Sequence, residues 1–519
     1  MKNAPRLISD QQLSRLSEFV TVWLGLHFPG NRWRDLQRCM VSAARELGIP
    51  DVNACVALLL SRQLTREQEE ILANHLTIGE TYFFRDQKSF DILENRILPG
   101  LIAARRGRDQ RLRIWSAGCS SGEEPYSLAM LLSRLIPDNR EWQITILASD
   151  VNTRSLAKAA HGVYSEWSFR NVPQWIRQRY FTRNNDGFFE LSHTVRRMVS
   201  FAVLNLAEDS FPSLATNTSA MDIIFCRNVL MYFEQKKQLR VIDGFRRSLV
   251  DGGWLVVSPC ETSAAFSTSF DTVFFSGAAF YRKHVQGDKT RTPPPAVETI
   301  FDEAGTGDRG SVKTFESKPT AETILFKEGT GDRGSVKTFV SQPTAETILY
   351  EEALELYQQG SYVEAVGKLS RLPLTSETDS AWMPLFEKAS ALMARSLANQ
   401  GRIAPALEWV ERAISVDKLN AELYYLRATI FQEQGALSPA IASLKQSLYL
   451  DQDFVLAHFS LGTLTLQQGK KGEAGRHFEI ACSLLEALPA DEPVPASDGM
   501  TAARLSEIIA ATRAGILQP

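Results

Sequence analysis

The sequence predicts an α/β protein in which a parallel sheet covered on both faces lies between an N-terminal helical domain and a C-terminal all-α repeat array. Three observations predict it. Residues 110–285 hold short β-rich runs spaced by helical ones, residues 1–75 show helical periodicity, and the chain beyond 346 repeats every 34 positions. Strands that are continuously apolar rather than alternating, and spaced by helices, fit a sheet buried on both faces. At 519 residues the chain is long enough for three to four cores of ordinary size. The expected organisation is a helical domain over 1–75, an α/β domain over 76–285, a linker over 286–345, repeats over 346–488 and a tail with a capping helix over 489–519.

Net charge is −3 and 44% of residues are apolar, which argues against global disorder and against a generally nucleic-acid-binding surface. The opening MKNAPRLISDQQLSRL lacks the apolar core of a signal peptide, and no run approaches the roughly 18 uninterrupted apolar residues of a membrane span. A soluble, cytoplasmic protein is expected. Six cysteines without paired metal spacing, and seven histidines without a His-x-x-Glu-His pattern, predict neither a disulfide framework nor a zinc site.

In residues 1–75, apolar positions recur at three and four, and breaks fall at Pro29-Gly30 and Gly48-Ile49-Pro50. Leu36, Met40, Ala43 and Leu47 form one helical stripe, with Arg34, Arg38 and Arg45 on roughly the opposite face. Such a basic face suits docking to an acidic helix. It equally suits the solvated side of an ordinary amphipathic helix.

The strand-like runs are RLRIW, ITILAS, VSFAVL, MDIIFC, GWLVVS, DTVFF and AAFYRK. In parallel sheets ligands sit at the carboxyl ends of strands, where the strand order reverses. The polar residues ending the first four runs are therefore the candidates: Gly118 through Glu124, Asp150, Asn205, and Arg227 with Asn228.

The first of these lies in AGCSSGEEPYS, residues 117–127, between a strand and the helical run SLAMLLSRLI. A bare glycine loop at a helix N-terminus favours anions. Glu123 and Glu124 oppose that, and suit a ligand carrying positive charge and hydroxyls, such as S-adenosylmethionine with its sulfonium, ammonium and ribose. Glycines fall only at Gly118 and Gly122, so this is not the dinucleotide fingerprint, and alone the turn is equally consistent with a structural role. Asp150 closes the next strand, where nucleoside-binding sheets place an acid for the ribose hydroxyls; its other reading is a helix cap, which Asn152 or Thr153 can also supply. Asn205-Leu206 and Arg227-Asn228 fall where an adenine ring and a methionine tail would lie, although asparagine after a strand is also a common turn residue.

Taken together, ETYFFRD (80–86), AGCSSGEEPYS (117–127), ASDVN (148–152), GVYSEWSFRNVP (162–173) and CRNVLMYF (226–233) resemble the signature set of the chemotaxis-type (CheR) protein-glutamate O-methyltransferases. The likeness covers residues 10–284, including the helical N-terminal domain. The resemblance implies a class I S-adenosylmethionine-dependent methyltransferase fold, Rossmann-like, with a small β-rich insert to which the segment FFELSHTVRRMVSF, around 188–201, is expected to belong. It also implies S-adenosyl-L-methionine as cofactor and methyl transfer to glutamates on the cytoplasmic helices of a chemoreceptor. Carried over by motif, Thr81 and Arg85 contact the methionine carboxylate end and Glu123 the ammonium side. Asp150 holds the ribose, while Asn205, Leu206, Arg227 and Asn228 enclose the adenosine. Tyr232 stands near the reacting methyl, so Tyr232 and Arg85 carry the catalytic assignment. Two departures stand out: Gly79 where the family often has asparagine, and Ser258-Pro259-Cys260-Glu261 in place of a Gly-His-Ser-Glu pattern.

The chemistry needs no metal. A glutamate with an unperturbed pKa of about 4.3 is already ionised near neutrality, so no strong base is required. What remains is alignment and water exclusion, and positioning alone can lower a barrier by about 7–11 kcal/mol. Tyr82, Phe83 and Phe84 beside Arg85 suit that exclusion, with plain core packing as the other reading for Phe83 or Phe84. Asn228-Val229-Leu230 lacks the prolines that follow this position in amine and nucleobase methyltransferases, which favours a carboxylate acceptor. Two other functions are compatible with the motifs: a non-catalytic S-adenosylmethionine-sensing scaffold, and methylation of a small-molecule acid.

Residues 286–345 read as a linker, opening near Pro293-Pro294-Pro295 and carrying a direct repeat of 24 residues, 298–321 and 322–345, identical at 18 positions. Such a length, if flexible, permits independent domains. Beyond it, Gly401, Gly435 and Gly469 share a column at the 34-residue period, as do Ala406, Ala440 and Ala474, and Val410, Leu444 and Phe478. Small residues at helix crossings with a bulky one between pairs look like tetratricopeptide repeats, with an earlier unit around Gly360 and Ala365. A docking site for a protein or peptide is expected there, against the alternative of a purely stabilising or dimerising role. TAARLSEIIAATRAGIL at 501–517 is the expected capping helix.

Overall fold

The structure, a computed structural model, describes residues 8–284, 344–372 and 383–517, apart from 62–63, 139–140, 171, 214–215, 262–265, 267, 276–277 and 498–499. The N-terminal domain consists of α1 (Asp10–Leu24), α2 (Trp33–Glu46), α3 (Val52–Ser61) and α4 (Arg66–Leu76). Ser9 and Thr65 start α1 and α4 with capping boxes closed by Gln12 and Gln68, which satisfy amide donors that a helix start otherwise leaves open. Leu36, Met40 and Ala43 of α2 are buried against Leu13, Leu16 and Val20 of α1. Arg34, Arg38 and Arg45 are exposed, as the amphipathic pattern requires.

After α5 (Gln87–Ile92) and α6 (Leu98–Arg105) the chain enters β1 (Arg111–Ala117), then α7 (Glu123–Leu135), β2 (Gln143–Asp150) and α8 (Thr153–His161). Next come β3 (Val163–Tyr164), α9 (Gln174–Tyr180), β4 (Phe181–Arg183), β5 (Phe189–Leu191), α10 (His193–Arg196) and β6 (Val199–Val203). The domain closes with β7 (Met221–Phe225), α11 (Gln235–Ser248), β8 (Leu249–Val256), β9 (Asp271–Phe275) and β10 (Ala278–Arg282). Among the described residues the main sheet runs β6-β2-β1-β7-β8-β10-β9. β6, β2, β1, β7 and β8 are parallel. Successive strands step outward from β1 through β2 to β6, then return to its other side at β7, so the loops after β1 and β7 diverge into a crevice.

Two expectations need correction. The sheet is not wholly parallel, because β10 runs antiparallel to both β8 and β9. A two-residue connection cannot make the crossover that parallel neighbours need. Of the segment around 188–201 only its first strand belongs to the β-rich insert: β3, β5 and β4 form a small antiparallel sheet that begins at Val163, whereas β6 belongs to the main one.

The linker, with the first copy of its repeat and nearly all of the second, lies outside the described residues. Beyond it come α12 (Ala345–Gln358), α13 (Tyr362–Leu369), α14 (Met383–Asn399), α15 (Ile403–Val416), α16 (Ala421–Glu433), α17 (Leu437–Leu450), α18 (Val455–Gln467), α19 (Lys471–Glu486) and α20 (Ala502–Leu517). α12 through α19 pack as successive pairs, and α20 covers α19. The alanine column 406, 440 and 474 and the bulky column Val410, Leu444 and Phe478 are fully buried, as helix crossings and inter-pair gaps demand. The pairs pack against the α/β domain rather than standing apart from it. Glu433, ending α16, lies 3.0 Å from Arg111 and 2.8 Å from Arg113 of β1.

Candidate functional site

A cleft enclosing about 1,110 Å³ of non-protein space, part of it open solvent, lies at the carboxyl ends of β1, β2, β6 and β7. Thr81, Arg85, Asp150, Asn205, Leu206, Arg227, Asn228 and Tyr232 all line it. Local backbone geometry explains how. Ser120 and Asn228 in its walls, and Phe84 and Asp86 on either side of Arg85, hold left-handed backbone at φ between 49 and 60°. Non-glycine residues adopt that conformation at a cost of about 1–3 kcal/mol each, which surrounding contacts must offset. Here the Phe84 N–H donates to Ser127 Oγ at 2.9 Å, and the Asn228 N–H to Glu261 Oε2 at 2.7 Å.

The two glycines of the loop after β1 answer to packing. Gly118 has φ +78°, and a Cβ there would meet Val229 at 2.4 Å; at Gly122, with φ +90°, it would meet Ala159 at 2.7 Å. The loop thus lets α8 and the β7 loop close on it.

Asp150 is not the cap of α8; Asn152 is, accepting from the Ser155 N–H at 2.9 Å. The Asp150 carboxylate instead accepts from the N–H groups of Ser120 (2.7 Å) and Asn152 (2.8 Å), which aims it across the cleft floor with lone pairs to spare. Burial pushes its pKa up, against those hydrogen bonds. Of the paired glutamates, Glu124 faces the cleft and Glu123 does not. Glu123 is buried behind the wall, where it accepts from Ser121 Oγ at 2.7 Å and Ser168 Oγ at 3.0 Å. Glu124 accepts from Ser116 Oγ at 2.8 Å and lies 3.3 Å from Arg227. Burial raises its pKa, with the Arg227 charge opposing.

Arg227 is held between Glu124 and Asp86, each 3.3 Å away, and its buried Nε has no protein partner among the described residues. Arg85 donates to the Glu80 carbonyl at 2.7 Å. Phe83 packs edge-to-face on Tyr164 and Phe181, so its role is core packing, while Tyr82 lies under the Arg170 guanidinium. Asn205 donates to the Trp23 carbonyl at 2.9 Å.

Sequence reasoning missed the contribution of the N-terminal domain. Leu24, Leu26, His27, Phe28 and Arg32 all line the cleft, Arg32 sits over the Tyr232 ring at 5.4 Å, and the His27 N–H donates to the Tyr232 carbonyl at 2.7 Å. Glu261 was missed too. Its carboxylate accepts from the N–H groups of Asn228, Val229, Met231 and Ser258 and so shapes the β7 loop.

The family described as CheR methyltransferase, SAM binding domain, matches residues 79–277, the span that builds this cleft. The chemotaxis protein methyltransferase of Borreliella burgdorferi is 33% identical over 261 residues, covering 49% of this chain and 89% of the relative. This chain belongs to the CheR chemotaxis methyltransferase family. The Escherichia coli member is 31% identical over 267 residues, covering 51% of this chain and 88% of its own. The probable biofilm formation methyltransferase WspC of Pseudomonas putida is 26% identical over 449 residues, 86% of this chain and 91% of that one, so this likeness runs past the CheR domain into the repeats. The CheR protein described here is an S-adenosylmethionine-dependent methyltransferase, with S-adenosyl-L-methionine as its cofactor. The cleft fits that cofactor: carboxylates for hydroxyl and ammonium groups, arginines for a carboxylate, and a buried Arg227 Nε with no protein partner among the described residues. Among the described residues no helix is long and apolar enough to cross a membrane.

Proposed function

We propose that this CheR protein methylates glutamate side chains on the cytoplasmic helices of a chemoreceptor, and that the cleft at the strand ends is where it does so. The observation carrying this reading is the convergence of Arg85, Glu124, Asp150, Asn228 and Tyr232 from separate motifs onto one cleft. Asp150 takes the ribose hydroxyls, Thr81 and Arg85 the methionine carboxylate, and Glu124, in place of Glu123, the ammonium. Asn205, Leu206, Arg227 and Asn228 enclose the adenosine. When bound, the cofactor supplies an electrophilic methyl on a sulfonium. Tyr232, held by Arg32 and by the His27 N–H, orients the incoming carboxylate, and the apolar residues Leu24, Leu26 and Phe28 exclude water where opposite charges meet.

Arg34, Arg38 and Arg45 form the docking face for acidic receptor helices, a reading supported by the exposure of all three on α2. The repeats dock a protein or peptide partner. Reversing the three arginines to glutamate is expected to impair receptor methylation and spare cofactor binding; unchanged rates refute the docking face. Calorimetry with S-adenosylhomocysteine tests the cleft: binding in the intact protein that Asp150→Asn weakens at least tenfold supports it, and equal binding by the variant contradicts it.

A further inference from the structure

α20 faces two domains at once. Leu505 and Ile509 are buried in the core of the last helix pair with Phe478 and Leu485. Arg504, one residue away, reaches the methyltransferase domain instead. Its Nε lies 2.6 Å from Asp209 Oδ1 and its Nη2 lies 2.6 Å from Asp209 Oδ2, a fork held with side chains only 19% and 7% exposed. Asp209 Oδ2 also accepts from the Asn205 N–H at 2.6 Å. Asn205 in turn folds its own loop, accepting from the Ala207 N–H at 3.0 Å, and ties it to α1 through the Trp23 carbonyl. A line of polar contacts therefore runs from the repeat domain through Asp209 to Asn205 and Leu206, which wall the cleft.

We propose that Arg504 is a positioning residue for cofactor binding, holding Asp209 so that the Asn205-Leu206 wall keeps its shape and coupling the state of the last helix pair to the affinity of the cleft. The reasoning is local. A bidentate guanidinium–carboxylate pair fixes Asp209 in orientation as well as distance. Without it the carboxylate turns toward water, and the Asn205 N–H loses its charged acceptor. Lys237 restrains the far side of the same loop, reaching the Ala207 carbonyl at 3.4 Å and Glu208 at 2.5 Å. Arg504 restrains the loop from the C-terminal helix, so a partner that shifts α20 acts on this loop. Lysine is a poor substitute, since a point charge on a flexible stem does not reproduce the fork.

This inference rests on the reading of the cleft as the cofactor site, and the experiment separates the two. S-adenosylhomocysteine affinity is measured by calorimetry on the full chain for wild type, Asp150→Asn, Arg504→Ala, Arg504→Lys, Asp209→Asn and the Arg504→Ala/Asp209→Asn pair. Arg504→Ala and Asp209→Asn are each expected to weaken binding about tenfold, Arg504→Lys to restore little of it, and the double variant to bind no worse than either single. In turnover assays the KM for S-adenosylmethionine rises by a similar factor while kcat stays within about twofold, a split that general destabilisation does not produce. If Arg504→Ala does not fold, Asp209→Asn decides by the same criteria. Wild-type binding that Asp150→Asn weakens, with affinity unchanged in the Arg504 and Asp209 variants, overturns the positioning role and leaves the cleft reading standing. No binding by wild type overturns the cleft reading and the inference with it.

Discussion

Glu433 and Arg113 form a buried ion pair, 2.8 Å apart and 3% and 2% exposed, that joins the third helix pair to the first strand of the sheet. Arg111 adds a second guanidinium 3.0 Å from the same carboxylate. Burial pushes the Arg113 pKa down and the Glu433 charge opposes it. Removing the acid strands two buried cations, so Glu433→Ala is expected to cost about 3–5 kcal/mol. Urea unfolding of the full chain checks this through the midpoint. An unshifted midpoint would mean that the domains do not rely on this contact.

Glu261 organises the β7 loop by accepting four backbone N–H groups. Glu261→Gln replaces one acceptor oxygen with a donor facing those same amides. Cofactor affinity is expected to fall about tenfold or more while circular dichroism stays native. Titration with S-adenosylhomocysteine reads this directly.

Glu124 and Asp150 both have pKa values raised by burial. Each therefore takes up a proton at a higher pH than an ordinary carboxylate, and a ligand needing their charge binds less well as pH falls from neutrality. Affinity for S-adenosylhomocysteine should be weaker at pH 5.5 than at pH 7.5, with Glu124→Gln flattening the profile. Stability responds in the opposite sense. A raised carboxyl pKa stabilises the cofactor-free fold where the group is protonated, and that contribution is lost as pH rises through the raised value.

His458 and His477 face each other across the last helix pair with Nδ1 atoms 3.0 Å apart, and His458 Nε2 lies 3.0 Å from the Gln452 carbonyl. Burial lowers both pKa values, and the neighbouring His458 charge lowers that of His477 further. A depressed histidine pKa gives stability that is present above the unfolded value, near 6.5, and lost as pH falls. Thermal melts are expected to lose stability between pH 7.5 and pH 5.5, with His477→Gln reducing the loss. Equal slopes for the two proteins would contradict the pairing.

What could be read from sequence was what is local. The seven β-rich runs each became a strand of the main sheet, and the alanine and bulky columns of the 34-residue period became buried packing positions, while the glycine column fell in the turns between helices. The antiparallel edge also had a signal: only Ser276 and Gly277 separate the last two runs, a hairpin spacing. The choice between Glu123 and Glu124 had none. Both begin α7, and Ser168, 45 residues away, helps draw Glu123 behind the wall. Arg32 and Glu433 were equally opaque, since each looks like a solvated helix residue until a distant domain packs onto it.

The central claim is methyl transfer to receptor glutamates from this cleft. The most direct measurement incubates the full chain with methyl-labelled S-adenosylmethionine and the cytoplasmic fragment of a chemoreceptor, then treats the product with mild alkali. The predicted result is label on the receptor that alkali releases as methanol, abolished by receptor Glu→Ala changes and strongly reduced in Arg85→Ala. Label that survives alkali, or transfer unaffected by Arg85→Ala, would contradict the account.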